Sequence, residues 1–451
     1  MSNPIILLCN PPSPQDSLAD REAAYGMGAL CESKPLPKRG IGRKAPMPIS
    51  PPHTLAWCGA VLKQAGWAVK GLDAVVEQLT SEATLAQIVK CQPDIVVLLV
   101  SPRSAQSDLA FIHELRHHLP HARLLLVGLA AHYLPSSLVN ASDMVLTGEP
   151  EGAIDAACRE LLNKHHACGV LPAHALVPSM YNLRGNLLKL THLPPPAWEL
   201  FPIKRYATMP ILASRGCNHG CRYCPVPLTQ GSQVRTRTAE QIADEMQRLY
   251  KRHGVSHFTF IDPLFAIDQA QTLALCEILI KRRLSSYLSW DCDTRPEQLD
   301  LFLLKQMKRA GCRTIHLGLE SVSPPTLIAM GRLPNEKAVQ QYLSHIREIL
   351  SDCRTLSIDC RLHAMAGLPG DRAGASATRA FIRAYSSNHI EVTPLIPYPG
   401  TSIFPTNQIN RELALLQKKP ASKSIITRKS HVSRWWQAFS RVGNMLFAML
   451  W

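Results

Sequence analysis

Short apolar runs alternate with segments of helical spacing twice along this 451-residue chain, and that alternation restricts it to parallel α/β architecture. In the first part, the expected strands are Ile5–Cys9, Ala68–Leu72, Asp94–Val100, Arg123–Gly128 and Met144–Gly148. Between them, 55–64, 85–90 and 107–118 carry helical spacing. Turn residues close the strands: Asn10-Pro11-Pro12, Ser101-Pro102, Gly128 and Gly148-Glu149-Pro150-Glu151. Ligands of open α/β sheets bind beyond the carboxyl ends of the strands, so these loops are the expected site of a Rossmann-like domain over 1–164. An irregular connector over 165–206 contains Pro194-Pro195-Pro196, which favours extended backbone. The second alternation, over 207–405, has strands Ile211–Ser214, His257–Ile261, Leu288–Cys292, Thr314–Leu319, Leu356–Ala364 and Ile390–Leu395. Helical segments at 239–252, 269–283, 299–310 and 336–350 separate them. Six such repeats make a partial (βα)6 barrel, whose function gathers on the loops after its strands.

The loop after the first barrel strand holds Cys217, Cys221 and Cys224, spaced C-x3-C-x2-C, with Tyr223 directly before the last thiol. Thiolates are soft ligands that suit iron–sulfur clusters and zinc. A complete [4Fe–4S] cage takes four cysteines; three leave one iron open to bind a small molecule. The competing reading is structural zinc, with His219 or a distant cysteine as fourth ligand. Zinc usually shows two paired ligand clusters, and no second C-x2-C occurs here. The fourteen cysteines are otherwise mostly scattered singly through apolar runs, which is not a disulfide framework. Cys58, Cys91, Cys158 and Cys276 read as small core residues. A reducing cytoplasm fits both them and an oxygen-sensitive cluster. No uninterrupted apolar run of about 18 residues suggests a spanning helix, and the first residues lack signal-peptide character.

With its context, the cysteine loop resembles that of the radical S-adenosylmethionine (SAM) superfamily, and specifically the class carrying a cobalamin-binding domain. The likeness runs over about residues 4 to 405. It includes Asn10-Pro11-Pro12, Pro196-Ala197-Trp198-Glu199-Leu200, Asp262-Pro263-Leu264-Phe265, Trp290-Asp291-Cys292-Asp293-Thr294-Arg295, Ala310-Gly311-Cys312, Gly318-Leu319-Glu320-Ser321, Gly367-Leu368-Pro369-Gly370 and Pro397-Tyr398-Pro399-Gly400-Thr401. The resemblance implies a B12-binding-type Rossmann domain followed by a radical SAM barrel. It implies a [4Fe–4S] cluster on Cys217, Cys221 and Cys224, with SAM chelating the open iron and cleaved to a 5′-deoxyadenosyl radical. The implied activity is cobalamin-dependent methylation of an unactivated carbon. A cyclase, oxidase or rearrangement enzyme on the same scaffold is the alternative, and a non-catalytic SAM- or cobalamin-binding protein is the second. By the same resemblance Tyr223 covers the cluster, Asp262 meets the SAM amino group, and Arg295 pairs with its carboxylate. Glu320 and Ser321 meet the ribose, and Gly367 admits the adenine. Ordinary loop packing for Tyr223, a helix cap for Asp262 and a structural salt bridge for Arg295 stand beside these roles. Ser101, Gly128 and Gly148 are the expected lining of a cobalamin site. The Asp-x-His-x-x-Gly motif that supplies a histidine to cobalt is absent, and Asn10-Pro11-Pro12-Ser13-Pro14-Gln15 stands in its place. An external one-electron donor of flavodoxin or ferredoxin type is the implied partner, with a small-molecule or lipid-like substrate.

The formal net charge of +15 is localised. From Leu413 onward there is no Asp or Glu, against Lys418, Lys419, Lys423, Arg428, Lys429, Arg434 and Arg441. A Pro/Gly-rich loop holds Lys34, Lys38, Arg39, Arg43 and Lys44. Such patches suit an anionic surface or a phosphorylated substrate, or are simply solvated. No nucleic-acid module accompanies them, so nucleic acid is not the expected partner. In the tail, 406–451, Arg434, Gln437, Arg441 and Asn444 share one helical face, and Trp435, Phe439, Val442 and Leu446 another. That pattern describes either an interfacial helix peripheral to the inner membrane face or a helix docked on protein.

Overall fold

A computed structural model of the chain describes residues 3–14, 17–32, 49–163, 169–176, 181–182, 187–369, 374–385, 390–396 and 398–403. The basic loop at 34–44 and the tail at 406–451 lie outside the described residues. The chain forms two compact units. One comprises the described residues up to Pro210 together with Pro225–Gly231, and the other Ile211–Cys224 with those from Ser232 onward.

The first unit is built on a six-stranded sheet of β1 (Ile5–Asn10), β2 (Ala68–Asp73), β3 (Ile95–Leu99), β4 (Arg123–Val127), β5 (Met144–Thr147) and β6 (Gly169–Pro172). Its order is β2-β1-β3-β4-β5-β6, with every pairing parallel. Ile95-Val-Val-Leu-Leu99 is buried along its whole length, as a central parallel strand covered on both faces requires. Helices α1 (His53–Gln64), α2 (Ser81–Cys91), α3 (Ala105–His118) and α4 (Ile154–Asn163) make the crossovers. Leu85, Ile88, Phe111, Ile112 and Leu115 pack with Val96, Leu98, Leu124 and Leu126 in one core cluster. Strand order reverses between β1 and β3, which makes their carboxyl ends the topological switch point. The sixth strand lies in the stretch expected to be irregular connector. Its residues are largely exposed, so it carries none of the apolar pattern by which a buried strand is read.

In the second unit β7 (Met209–Ile211), β8 (His257–Phe260), β9 (Ser289–Thr294), β10 (Cys312–Glu320), β11 (Asp359–Ala366) and β12 (Ile390–Pro394) form a sheet in sequential order. The pairs from β8 to β12 are parallel. With α5 (Ala239–His253), α6 (Gln269–Lys281), α7 (Leu301–Arg309), α8 (Glu336–Thr355) and α9 (Gly374–Tyr385) between them, this is the partial (βα)6 barrel. Helix starts follow from local chemistry. Thr238 and Gln241 close a capping box at α5, and Asp268, Asp300 and Asn335 each accept a backbone N–H at α6, α7 and α8. Strand residues alternate sharply. Trp290, Cys292, Ile315, Leu317, Cys360 and Leu362 are buried, and Trp290 Nε1 donates to the Ala310 carbonyl just past α7, which marks this face as the helix-covered one. Asp291, Asp293, His316, Glu320, Arg361 and His363 occupy the opposite, polar face and are half-buried or exposed.

One buried ion pair organises the first unit's switch point. Arg21 lies 2.5 Å from Asp108, with both side chains all but inaccessible. Replacing Asp108 by Ala leaves a buried guanidinium uncompensated, and urea unfolding should show a loss of about 3–5 kcal/mol. Glu22, beside it, accepts from the Thr54 N–H at 2.8 Å and the Thr54 hydroxyl at 3.0 Å. Burial pushes its carboxyl from 4.5 up to about 8. A raised carboxyl favours its neutral form in the folded state. Its stabilisation is complete below about pH 4.5 and is lost as pH rises through about 8. Glu22→Gln should therefore flatten the fall in stability between about pH 4.5 and pH 8, as measured by thermal unfolding across that range.

Candidate functional site

The cysteine loop begins where β7 leaves its sheet. A strand was expected through Ser214, but the strand ends at Ile211, and Ser214–Arg215 pairs instead with Arg235–Thr236. Asp262 is the reason. Its carboxylate, buried just past β8, accepts the Ala213 N–H at 3.0 Å and the Ser214 hydroxyl. Burial pushes this carboxyl up to about 6. Helix α6 is capped by Asp268, so Asp262 does not cap it; both of its oxygens hold the start of the cysteine loop.

The far side of the loop is held by the segment after β10. The Arg222 N–H donates to the Met330 carbonyl at 2.9 Å, and Arg222 Nη1 donates to the Ala329 carbonyl at 3.1 Å. Gly331 adopts φ +65°, and a Cβ there would lie 2.9 Å from the Gly220 carbonyl oxygen. Glycine is thus required twice over, by conformation and by space. Next to it stands Arg332, which is buried. It donates to the Gly318 carbonyl and to the Tyr342 hydroxyl at 2.9 Å, and its Nη1 lies 3.4 Å from Tyr223 Oη and 3.6 Å from Glu320 Oε1. Its own carbonyl accepts from Arg295 at 3.4 Å. Arg332 was not singled out from sequence; Gly331 before it, in a Met-Gly-Arg stretch closing a helix, was the available signal.

The structure brings Tyr223, Arg295 and Glu320 to this loop. Arg295 Nη1 lies 3.7 Å from Cys221 Sγ, and its other nitrogens bond Glu297. The guanidinium therefore both makes a salt bridge and faces a cysteine. Burial and the Glu320 carboxylate push the Tyr223 phenol up, so it stays protonated. Glu320 has φ +62°, rare for a residue with a side chain, and sits at a register shift between β10 and β11. The shift re-aims its carboxylate toward Arg332. Gly367 has φ +83° and open space where a Cβ would point. Ser321 is fully buried, and its hydroxyl accepts the Ser323 N–H at 3.1 Å and lies 3.3 Å from Thr378 Oγ1. That hydroxyl shapes the loop after β10.

The three loop cysteines suit a cluster by their chemistry. All three are half-buried. Burial raises the Cys217 thiol, while the His219 N–H and the Arg295 and Arg332 guanidinium groups pull it toward the thiolate. Nε2 of His219 is buried without a hydrogen-bond partner. The other thiols differ: Cys9 and Cys158 are fully buried and pushed up by burial alone or chiefly, as inert core residues are.

At the switch point of the first unit the chain supplies its own polar filling. Arg21 donates to Asn10 Oδ1 at 3.0 Å and to the Pro11 carbonyl at 2.8 Å, and Asn10 donates to Asp73 at 2.9 Å. Ser101 is buried with its hydroxyl 2.8 Å from that of Ser104, which donates to Asp108. A Cβ on Gly128 would lie 2.4 Å from the Val100 carbonyl oxygen, so this glycine serves the close approach of β3 and β4. Of the three residues expected to line a cobalamin site, Gly148 alone borders open space, with φ +88°.

A parallel half-barrel with three cysteines on the loop after its first strand defines a radical SAM domain, and residues 211–371 match the family model of the radical SAM superfamily. That segment is a radical SAM domain, and the chain is an enzyme working with a [4Fe–4S] cluster, SAM and an electron donor, as the domain of that superfamily requires. The chain is 23% identical over 376 residues to an uncharacterized methyltransferase of Pyrococcus horikoshii, covering 78% of each chain. It is 25% identical to the anaerobic magnesium-protoporphyrin IX monomethyl ester cyclase of Cereibacter sphaeroides, over 60% of this chain and 47% of the cyclase. It therefore spans about half the cyclase's length. The fold matches that of the radical SAM methyltransferase TsrM from Kitasatospora setae, solved with cobalamin and a [4Fe–4S] cluster, with a TM-score of 0.66, 17% identity and coverage of 96% of this chain and 84% of that one.

Gly331→Ala should displace the cysteine loop without unfolding the barrel. Iron and sulfide per chain after anaerobic reconstitution are expected to fall by at least half, with circular dichroism unchanged.

Proposed function

We propose that the chain is a cobalamin-dependent radical SAM methyltransferase acting on an unactivated carbon of a small molecule. The observation that carries this reading is the cysteine loop, fixed by Asp262 on one side and by the 329–332 segment on the other, at the carboxyl end of a radical SAM barrel. When bound, the cluster with SAM supplies a hydrogen-abstracting radical, and cobalamin supplies the methyl group. The protein's part is to bind and orient. Cys217, Cys221 and Cys224 are the cluster ligands, and Tyr223 covers them. Arg295, facing Cys221, meets a carboxylate with its guanidinium fork. Glu320, re-aimed by the register shift, accepts from ribose hydroxyls. Asp262 and Ser321 hold the two loops in place, Gly367 leaves room for a flat base, and Gly148 with the loops over Ser101 and Gly128 receives the corrin. The solved cobalamin-bound neighbour of similar fold and the methyltransferase relative support this reading.

Domain assignments go with it: a cobalamin domain at 1–164, a linker at 165–206, the radical SAM core at 207–405 and a basic tail at 406–451. We place the enzyme in the cytoplasm, with flavodoxin or ferredoxin as donor and the tail as peripheral membrane contact. Among the described residues no helix is long and apolar enough to cross a membrane.

Anaerobic reconstitution with iron, sulfide and cobalamin, followed by a SAM-cleavage assay, tests the activity. 5′-Deoxyadenosine and S-adenosylhomocysteine are expected together, and Cys221→Ala should abolish both. 5′-Deoxyadenosine without S-adenosylhomocysteine would replace methylation by cyclisation or oxidation, the chemistry named for the cyclase relative. Full function in cells with Cys221→Ala would make the chain a non-catalytic binder. Deleting 406–451 should reduce recovery in the membrane fraction; unchanged partitioning would sink the membrane contact.

A further inference from the structure

The polar face of the second sheet brings three metal-ligating side chains from adjacent strands to one point. Asp293 of β9 is the register partner of His316 of β10, and His363 of β11 pairs with Gly318, two residues further along β10. One ligand atom from each of the three lies within 4.8 Å of the others. His316 Nδ1 and His363 Nε2 are 2.9 Å apart, with the rings edge to face. Without a cation, the two imidazoles meet by sharing one N–H between two nitrogens. A metal ion in its place would take both lone pairs. Nitrogen ligands at about 2.0–2.1 Å from zinc sit roughly 3 Å apart when the angle between them is near a right angle or somewhat wider, so the pair needs little movement.

The donor set is two imidazoles and one carboxylate. Zinc and iron(II) both accept this set, and it leaves open coordination positions. Each donor stands on a paired strand, the most rigid support a protein offers a metal. Asp293 is exposed and the histidines half-buried, so an external ligand has access. The surroundings tolerate positive charge. On the same face Asp291 lies 2.8 Å from His257, and Arg361, the register partner of His316, is drawn to Asp359 at 2.9 Å. His316 precedes Glu320 by four residues on β10, about 13 Å at strand rise, and the cluster shares no residue with the cysteine loop.

We propose that Asp293, His316 and His363 bind one divalent first-row transition-metal ion, zinc foremost, with open positions that take an anionic oxygen. The inference does not depend on cobalamin or methyl transfer. The test uses the full chain with Cys217, Cys221 and Cys224 all replaced by Ala, so that no metal can reside on the loop thiols. Zinc is measured by equilibrium dialysis, and cobalt(II) by its visible ligand-field absorption. One zinc per chain is expected, with affinity reduced at least tenfold by His316→Gln, His363→Gln or Asp293→Asn, and unchanged by His257→Gln. Thermal unfolding confirms that each variant remains folded. Absence of stoichiometric zinc in the chain lacking the three loop thiols overturns the proposal. So does binding that survives both His316→Gln and His363→Gln, or that His257→Gln removes equally.

Discussion

The buried guanidinium of Arg332 is the interaction on which the second unit's functional end depends. A guanidinium out of water is costly unless its donors are met. Here they are met by the Gly318 carbonyl, the Tyr342 hydroxyl, the Tyr223 hydroxyl and the Glu320 carboxylate. Those partners come from β10, from α8 and from the cysteine loop itself. One side chain thus couples the cysteine loop to the strand that presents Glu320. Because its partners are both neutral and anionic, removing any one leaves the rest short of a donor or the donor short of an acceptor. The loop's geometry is therefore a collective property, and three cysteines at correct spacing are only its visible part.

How much of this is legible in sequence follows from what periodicity records. Buried strands announce themselves: Ile95–Leu99 and the alternation through Thr314–Leu319 were readable because burial imposes composition. The edge strand Gly169–Pro172 was not, because exposure imposes none. The cysteine triad was readable because residue type and spacing stand together in one short loop. Arg332 was not, because an isolated arginine looks alike whether it is solvated or sits at the centre of four hydrogen-bonding groups. Ser321 shows the reverse case. Its place in a motif marks the loop after β10, but its hydroxyl bonds within that loop.

The first unit illustrates how a shared topology is locally individual. Its strand order provides a switch point, as in other doubly wound sheets. The Arg21–Asp108 pair, Asn10, Asp73 and Ser104 then fill that crevice with hydrogen bonds among themselves. The turn at Gly148 takes no part in these bonds, and open space lies where its Cβ would point.

Glu320 carries a consequence beyond its place in the site. A non-glycine residue at φ +62° holds its backbone where L-amino acids lose about 1–3 kcal/mol. Glycine at that position would relax the strand end, but it would also delete the carboxylate that faces the buried Arg332 guanidinium. The fold therefore carries a local debt at the one residue where β10 must turn a charge toward the loop. Backbone strain and ion pairing thus pull in opposite directions at Glu320, and the residue is held there by the charge it faces.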